Sequence, residues 1–272
     1  MNKVIRDAVD RWAPELGLYY RFRRDQRVAA HAPGVRLPYG FQFFSPGVAA
    51  DHYETTEVQF FLANIDSVAL CIDIGANAGI YSCLAASRGK RVVAIEPLAA
   101  NLSILYRNLL GNGFSNVEVY PMGLSSRPGL HRIYGAALNA SFVRGWAGAP
   151  DTRYSVVPVT SLDILINSRF DGQQVFVKLD VEGYELDVLQ GAERVLSMQP
   201  KPVWMVEIVL TEQIPGGMNR RFQKTFELFW RHGYQAYLAQ PDQRPVLPAD
   251  VEHWAKTGVR SFGSYNYVFR AS

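Results

Sequence analysis

The sequence predicts an α/β fold, a mostly parallel seven-stranded sheet with helices on both faces. Three observations predict it. From Val68 onward, short apolar runs rich in β-branched residues alternate regularly with amphipathic stretches, the pattern of a layered parallel sheet. The first such run, Val68 to Ile72, leads through Asp73 into a glycine turn and a helix, D-I-G-A-N-A-G-I-Y-S over 73–82. Acids then recur where strands end: Glu96, Asp180, Glu182 and Glu207.

Residues 1–50 read as a separate cap. Val4, Ile5, Ala8, Val9, Trp12 and Leu16 fall on one helical face. A short basic run follows at Arg21, Arg23, Arg24 and Arg27, suited to a solvated face over Tyr19, Tyr20 and Phe22 or to an anionic surface. Pro33, Gly34, Pro38, Gly40, Pro46 and Gly47 punctuate an irregular connector anchored by Phe41, Phe43 and Phe44. The main domain then spans 51–272, opening with a helix from Tyr53 to Leu62.

Within that domain the strands are Val68 to Ile72, Arg91 to Ile95, Val117 to Tyr120, Val175 to Leu179, Val203 to Val206, Tyr234 to Leu238 and Tyr265 to Phe269. Helices are expected at Ile80 to Ser87 and around Asn101 to Leu109, the latter stopped by Gly111 and Gly113. Another carries Leu186, Leu189, Ala192, Val195 and Leu196 and ends at Pro200, and the last carries Phe222, Phe226 and Phe229. Residues 125–160 break the alternation. Their short β-like pieces, Leu130 to Tyr134 and Tyr154 to Val159, read as an antiparallel insertion whose loop, Ala140 to Trp146, either covers the site or only connects.

Composition bounds the function. The chain has 272 residues, 48% of them apolar, enough for a core and too many for a disordered chain. A net charge of +3 is too small to point to nucleic acid. Cys71 and Cys83 read as buried small hydrophobes, and with a polar rather than apolar start to the chain they fit a cytoplasmic setting. No stretch is long enough to span a membrane, leaving peripheral association as the only membrane contact expected.

The glycine turn names a ligand class. Gly75 and Gly79 can take positive φ, and the following helix offers free N–H groups and a partial positive charge. Glu96, at the tip of the second strand, is placed to accept from two ribose hydroxyls. A dinucleotide fingerprint would read G-x-G-x-x-G; here Ile80 stands where its third glycine would fall, which weighs against a NAD-dependent oxidoreductase. Asp73, ahead of the glycines, suits a ligand with an amino-acid ammonium, such as S-adenosylmethionine. Asn77 completes the turn, and Met122, after the third strand, is a secondary candidate for the adenine side.

Five acids on one rim are costly unless something cationic joins them. A sulfonium cofactor bearing an ammonium would serve, and so would a divalent cation. Asp180 and Glu182 could alternatively cap the helix after them.

At these residues the chain resembles the FkbM-type S-adenosylmethionine-dependent methyltransferases. The resemblance rests on D-I-G-A-N-A-G-I-Y-S (73–82), A-I-E-P (94–97), R-N-L-L-G-N-G (107–113), V-P-V-T-S-L-D (157–163) and V-K-L-D-V-E-G-Y-E-L-D-V-L-Q-G-A-E (177–193), which keep the family's order. The first 50 residues lie outside it, and the region after Glu207 is only generically similar. It implies a Rossmann-like class I methyltransferase acting on a hydroxyl, often of a sugar in a glycan, glycolipid or glycosylated natural product. Asp180 is then the candidate base, with Glu182 beside it and Glu207 on the substrate. Magnesium is possible but not favoured, because no sequence spacing fixes the geometry of these oxygens. A module that binds the nucleoside without catalysis would share the cofactor residues but has no need of Asp180 and Glu182.

Overall fold

The computed structural model describes residues 31–45, 55–135 and 140–271, together with Tyr20, Arg23 and Arg27. The expected helix over 4–16, Arg21, Phe22, Arg24, Pro46, Gly47, His52 and Tyr53 lie outside the described residues.

Strands β1 (Gly34–Arg36) and β2 (Gln42–Phe44) form an antiparallel hairpin. Helix α1 (Thr56–Ile65) starts at Thr55, whose hydroxyl accepts from the Val58 N–H. The sheet begins with β3 (Leu70–Ile74), α2 (Ile80–Ser87), β4 (Arg91–Ile95), α3 (Ala99–Gly111) and β5 (Val117–Tyr120). Strand β3 thus starts and ends two residues later than expected, and Asp73 lies inside it.

The insertion comprises β6 (Gly123–Leu124), β7 (Gly129–Tyr134), a 3₁₀ turn at Trp146–Gly148 and β8 (Tyr154–Thr160). Its three strands run in the order β6-β8-β7, with β6 parallel and β7 antiparallel to β8, so it is mixed rather than purely antiparallel.

The chain returns through α4 (Leu162–Ile166) to β9 (Val175–Leu179), then α5 (Glu185–Gln190) and α6 (Glu193–Leu196). One helix was expected where α5 and α6 stand. The backbone breaks at Gly191, where a Cβ would sit 2.3 Å from the Ser125 carbonyl oxygen. Asp163 then caps the second piece, accepting from the Arg194 and Val195 N–H groups at 3.0 and 3.1 Å. The Leu-Asp pair at 162–163 therefore has a structural task.

Strand β10 (Val203–Glu207), α7 (Phe222–Arg231), β11 (Tyr234–Leu238), β12 (Pro245–Val246), α8 (Pro248–Thr257) and β13 (Asn266–Ala271) complete the chain. The periodicity gave no sign of α8 or the short β12. Among the described residues the sheet therefore has eight strands rather than seven, in the order β12-β11-β13-β10-β9-β3-β4-β5. From β10 to β5 all neighbours are parallel; β13 runs antiparallel to β10 and β11, and β12 to β11.

Both sheet faces are covered, so the central strands β3 and β9 are apolar apart from two buried charges, Asp73 and Lys178. Leu70, Ile72 and Ile74 join Val177, Leu179 and Phe226 in one core, while Cys71 joins Phe176, Met205, Leu84 and Leu105 in the other. No helix among the described residues is long and apolar enough to cross a membrane.

Candidate active site

Strand order reverses between β3 and β9, because the chain first adds β4 and β5 on one side and then returns to the other. Open α/β sheets hold ligands beyond the carboxyl ends at such a reversal. A cavity of about 320 Å³ lies there.

Six predicted residues line it: Gly75, Asn77, Glu96, Met122, Asp180 and Glu182. The other three do not. Asp73 is buried behind the turn, where its Oδ2 accepts from the Ser82 hydroxyl at 2.5 Å. Burial lifts its carboxyl to about 6, against the opposing pull of Ser82 and Lys178. Gly79 begins α2 at φ 88°, packed on Leu105. Glu207 stands half-buried at the tip of β10.

Gly75 was expected to let a ligand approach. The close approach is made by the protein itself: at φ 80°, a Cβ here would lie 1.8 Å from the Asp180 carbonyl oxygen. The Asp180 N–H in turn donates to the Ile74 carbonyl at 3.0 Å. These contacts lock the glycine turn to the end of β9.

Glu96 braces the same turn. Its Oε2 accepts from the Asn77 N–H at 2.9 Å and its Oε1 from the Leu98 N–H at 2.8 Å. Burial pushes its carboxyl up to about 7, although both N–H groups favour the charged form. The Asn101 side chain also bonds to this carboxylate and favours its charged form. Asn77, with φ 52°, joins the two glycines in the left-handed region.

The acids do meet a cation, and it belongs to the chain. Lys178 is fully buried, with its ammonium 3.2 Å from Asp180 Oδ2, 3.5 Å from Asn266 Oδ1 and 5.3 Å from the centre of the Tyr81 ring. Burial alone would lower its pKa; Asp180, Tyr81 and Glu207 more than offset that and hold it above its ordinary value. Asp73 is its partner in register on β3. Sequence reasoning missed Lys178, yet a signal existed. It is a lone charge in an otherwise apolar strand, two residues before Asp180 and hence on the same face.

Neither Asp180 nor Glu182 caps α5. That helix has Tyr184 at its N-cap with no side-chain bond, and Glu185 takes the Gly183 N–H at 2.9 Å. Glu182 instead sits at φ 56°, a costly conformation for a residue with a Cβ. Segment 140–146 holds it there. The Ser141 hydroxyl donates to the Glu182 carbonyl at 2.6 Å, and the Trp146 indole N–H donates to Glu182 Oε2 at 2.8 Å. Trp146 also covers Gly183, where a Cβ would lie 2.4 Å from the indole ring. Burial, then the charge of Asp180, raises the Glu182 carboxyl to about 8. Burial first, then Asp180, likewise pushes Glu207 well up.

Ala140, Ser141 and Phe142 from the insertion line the cavity, as do Phe43 and Ser45 from the N-terminal segment. The loop Ala140 to Trp146 was expected either to cover the site or only to connect, and its last residue reaches Glu182 and Gly183. His131 packs against Phe142 and Tyr184 and does not line the cavity. Among the described residues no group of three or more His, Cys, Asp or Glu side chains is arranged to hold a metal ion.

The cavity can hold S-adenosylmethionine. It offers an acid beside a glycine turn, an uncapped helix start, and the apolar surfaces of Ile95, Met122, Leu124 and Phe142.

Comparison with known proteins gives the family. Solved structures similar to this chain include a precorrin-6y C5,15-methyltransferase from Geobacter metallireducens, 15% identical, aligned over 70% of this chain and 76% of its own, with a TM-score of 0.39. A SAM-dependent methyltransferase from Agrobacterium tumefaciens is 10% identical over 88% and 70%, with a TM-score of 0.45. WbdD is 12% identical over 90% of this chain and 46% of its own, with a TM-score of 0.48. No curated protein sequence matches. The model of the family described as "Methyltransferase FkbM domain" matches residues 73–236. That match covers more than half of the chain and takes in both blocks that interlock at Gly75 and Asp180, and so the chain belongs to the FkbM family of S-adenosylmethionine-dependent methyltransferases.

Proposed function

We propose that this methyltransferase acts on oxygen, methylating a hydroxyl of a sugar in a glycan, glycolipid or glycosylated natural product, with Asp180 as general base. One observation carries the reading. Asp180 lines the same cavity as the glycine turn, while the buried Lys178 ammonium holds its Oδ2 at 3.2 Å.

In this reading Glu96 accepts from the ribose hydroxyls, and the turn from Gly75 to Asn77 with the start of α2 faces the aminoacyl end. Met122 and its apolar neighbours take the adenine. When bound, S-adenosylmethionine supplies an electrophilic methyl group on a sulfonium. The chain's own tasks are to place the hydroxyl in line with it and to remove a proton. Positioning of two reactants accounts for up to about 7–11 kcal/mol of a barrier.

A sugar hydroxyl is a weak nucleophile, and a base contributes about 10²–10⁴-fold. Lys178 orients Asp180 and supports its negative charge. Burial and the charge of Asp180 raise the Glu182 carboxyl, which favours its protonated form, able to donate to an acceptor oxygen. Glu207 holds a further acceptor hydroxyl from the tip of β10.

The test is methyl transfer from label-bearing S-adenosylmethionine into an extract of cells lacking this gene. The reading expects label in the carbohydrate or glycolipid fraction, released as a methyl ether of a sugar. Label confined to protein or RNA would overturn it.

A further inference from the structure

The geometry points to strand β2 as a wall of the cofactor pocket, with Asn108 as the positioning residue that couples it to the glycine turn. This rests on the cofactor reading above.

Among the described residues strand β2 pairs only with β1, and no described strand lies beside its other edge. Helix α3 supplies the missing partners. The Asn108 carboxamide accepts from the Phe44 N–H at 2.7 Å and donates to the Phe44 carbonyl at 3.0 Å. One helical turn on, Asn112 does the same for Gln42, at 2.9 and 2.7 Å. Residues 42 and 44 face one edge of a strand, and residues 108 and 112 one face of a helix. Two amides four residues apart thus replace two peptide groups of a neighbouring strand. Arg107 adds a bond to the Ala32 carbonyl at 3.1 Å and stacks 3.8 Å over the Phe44 ring.

The two asparagines differ in one respect. Asn108 is fully buried, and its Nδ2 also donates to the Ala78 carbonyl at 2.8 Å, inside the glycine turn. One amide therefore touches both the turn and the strand. That strand carries Phe43, and Ser45 follows it; both are buried and line the same cavity as Ala76, Asn77 and Ala78. The Arg-Asn-x-x-x-Asn pattern at 107–112 is thus a clamp, built into the last turn of a helix that ends at Gly111. A ligand that orders the turn must order the strand, and the coupling is reciprocal.

The probe is S-adenosylhomocysteine, the product form of the cofactor, with the full chain. Hydrogen exchange should show amides in 31–45 gaining protection when it binds. Calorimetry should show at least tenfold weaker binding in Phe43→Ala, which removes the wall, and in Asn108→Ala, which removes the clamp. Asn116→Ala is the control. It deletes amide bonds to the Ala86 and Lys90 carbonyls away from the cavity, so it should lower Tm and leave Kd unchanged. If Asn108→Ala does not fold, exchange in the wild type and Phe43→Ala decide the matter. Unchanged protection in 31–45, or unchanged Kd in Phe43→Ala, would overturn the inference alone. No binding by the wild type would remove the cofactor reading and this inference with it.

Discussion

Gly75 and Asp180 meet backbone to backbone: a Cβ on Gly75 would lie 1.8 Å from the Asp180 carbonyl oxygen. The glycine turn and the strand tip that carries Asp180 are thus one rigid unit across the switch between β3 and β9. Gly75→Ala should break it. The residue would be strained at φ 80°, and β9 would have to move. Chemical denaturation should show a loss of about 1–3 kcal/mol or more, with cofactor binding abolished. A variant of unchanged stability and affinity would show that the contact is dispensable.

Glu96→Ala should weaken cofactor binding by about 1.5–3 kcal/mol, the scale of a hydrogen bond to a charged group. The Asn77 and Leu98 N–H groups lose their acceptor, so the turn loosens as well. Calorimetry with S-adenosylhomocysteine checks this, and an unaltered Kd in a folded variant would place the ribose elsewhere.

Stability of the unliganded protein should fall as pH rises from about 5 to 8. Burial raises Asp73 to about 6, Glu96 and Glu185 to about 7 and Glu182 to about 8, against ordinary values of 3.8 for Asp and 4.5 for Glu. Between those limits the folded state binds more protons than the unfolded one, so the slope is negative. Glu118 acts oppositely. It is lowered to about 2, with Arg169 and Arg91 outweighing its desolvation, and its contribution is lost as pH falls below 4.5. Thermal melts across pH should therefore peak near pH 5. A Tm that climbs steadily to pH 8 would contradict the burial of these acids.

Trp146 should report on Glu182. Its indole N–H bonds to a carboxyl that burial and the charge of Asp180 push up to about 8. Tryptophan emission should shift with a midpoint near pH 8, and the shift should vanish in Glu182→Gln and Trp146→Phe. Its persistence in Glu182→Gln would assign it to another tryptophan.

The sheet was legible because two buried faces force continuous apolar strands, and the strand-tip acids followed from that. Glu96 and Asp180 could be placed because each ends such a run. Lys178 was legible as the one charge in an otherwise apolar strand, but its role was not, because its partners Asp180 and Asn266 are brought to it by the fold. Phe43 and Asn108 were not legible as site residues, and Trp146 was legible only as the end of a loop read as a cover or a connector. Each acts through a contact tens of residues away, in an irregular loop, a short hairpin or a helix face whose periodicity reports only local structure. The break between α5 and α6 is of the same kind, since Asp163 and Ser125 impose it from outside the helix. The helix α8 escaped because its buried residues, Val251 and Trp254, are too few to make a stripe.

The most direct test of the account is Asp180→Asn, with cofactor affinity and methyl transfer measured on the same purified protein. Asn keeps the shape, and the Asp180 main-chain contacts with Ile74 and Gly75 are untouched. It removes the proton acceptor. The account predicts a Kd for S-adenosylhomocysteine within a few-fold of the wild type, and transfer into the glycan extract reduced about 10²–10⁴-fold. Transfer at the wild-type rate, or a loss fully explained by weaker cofactor binding, would contradict it.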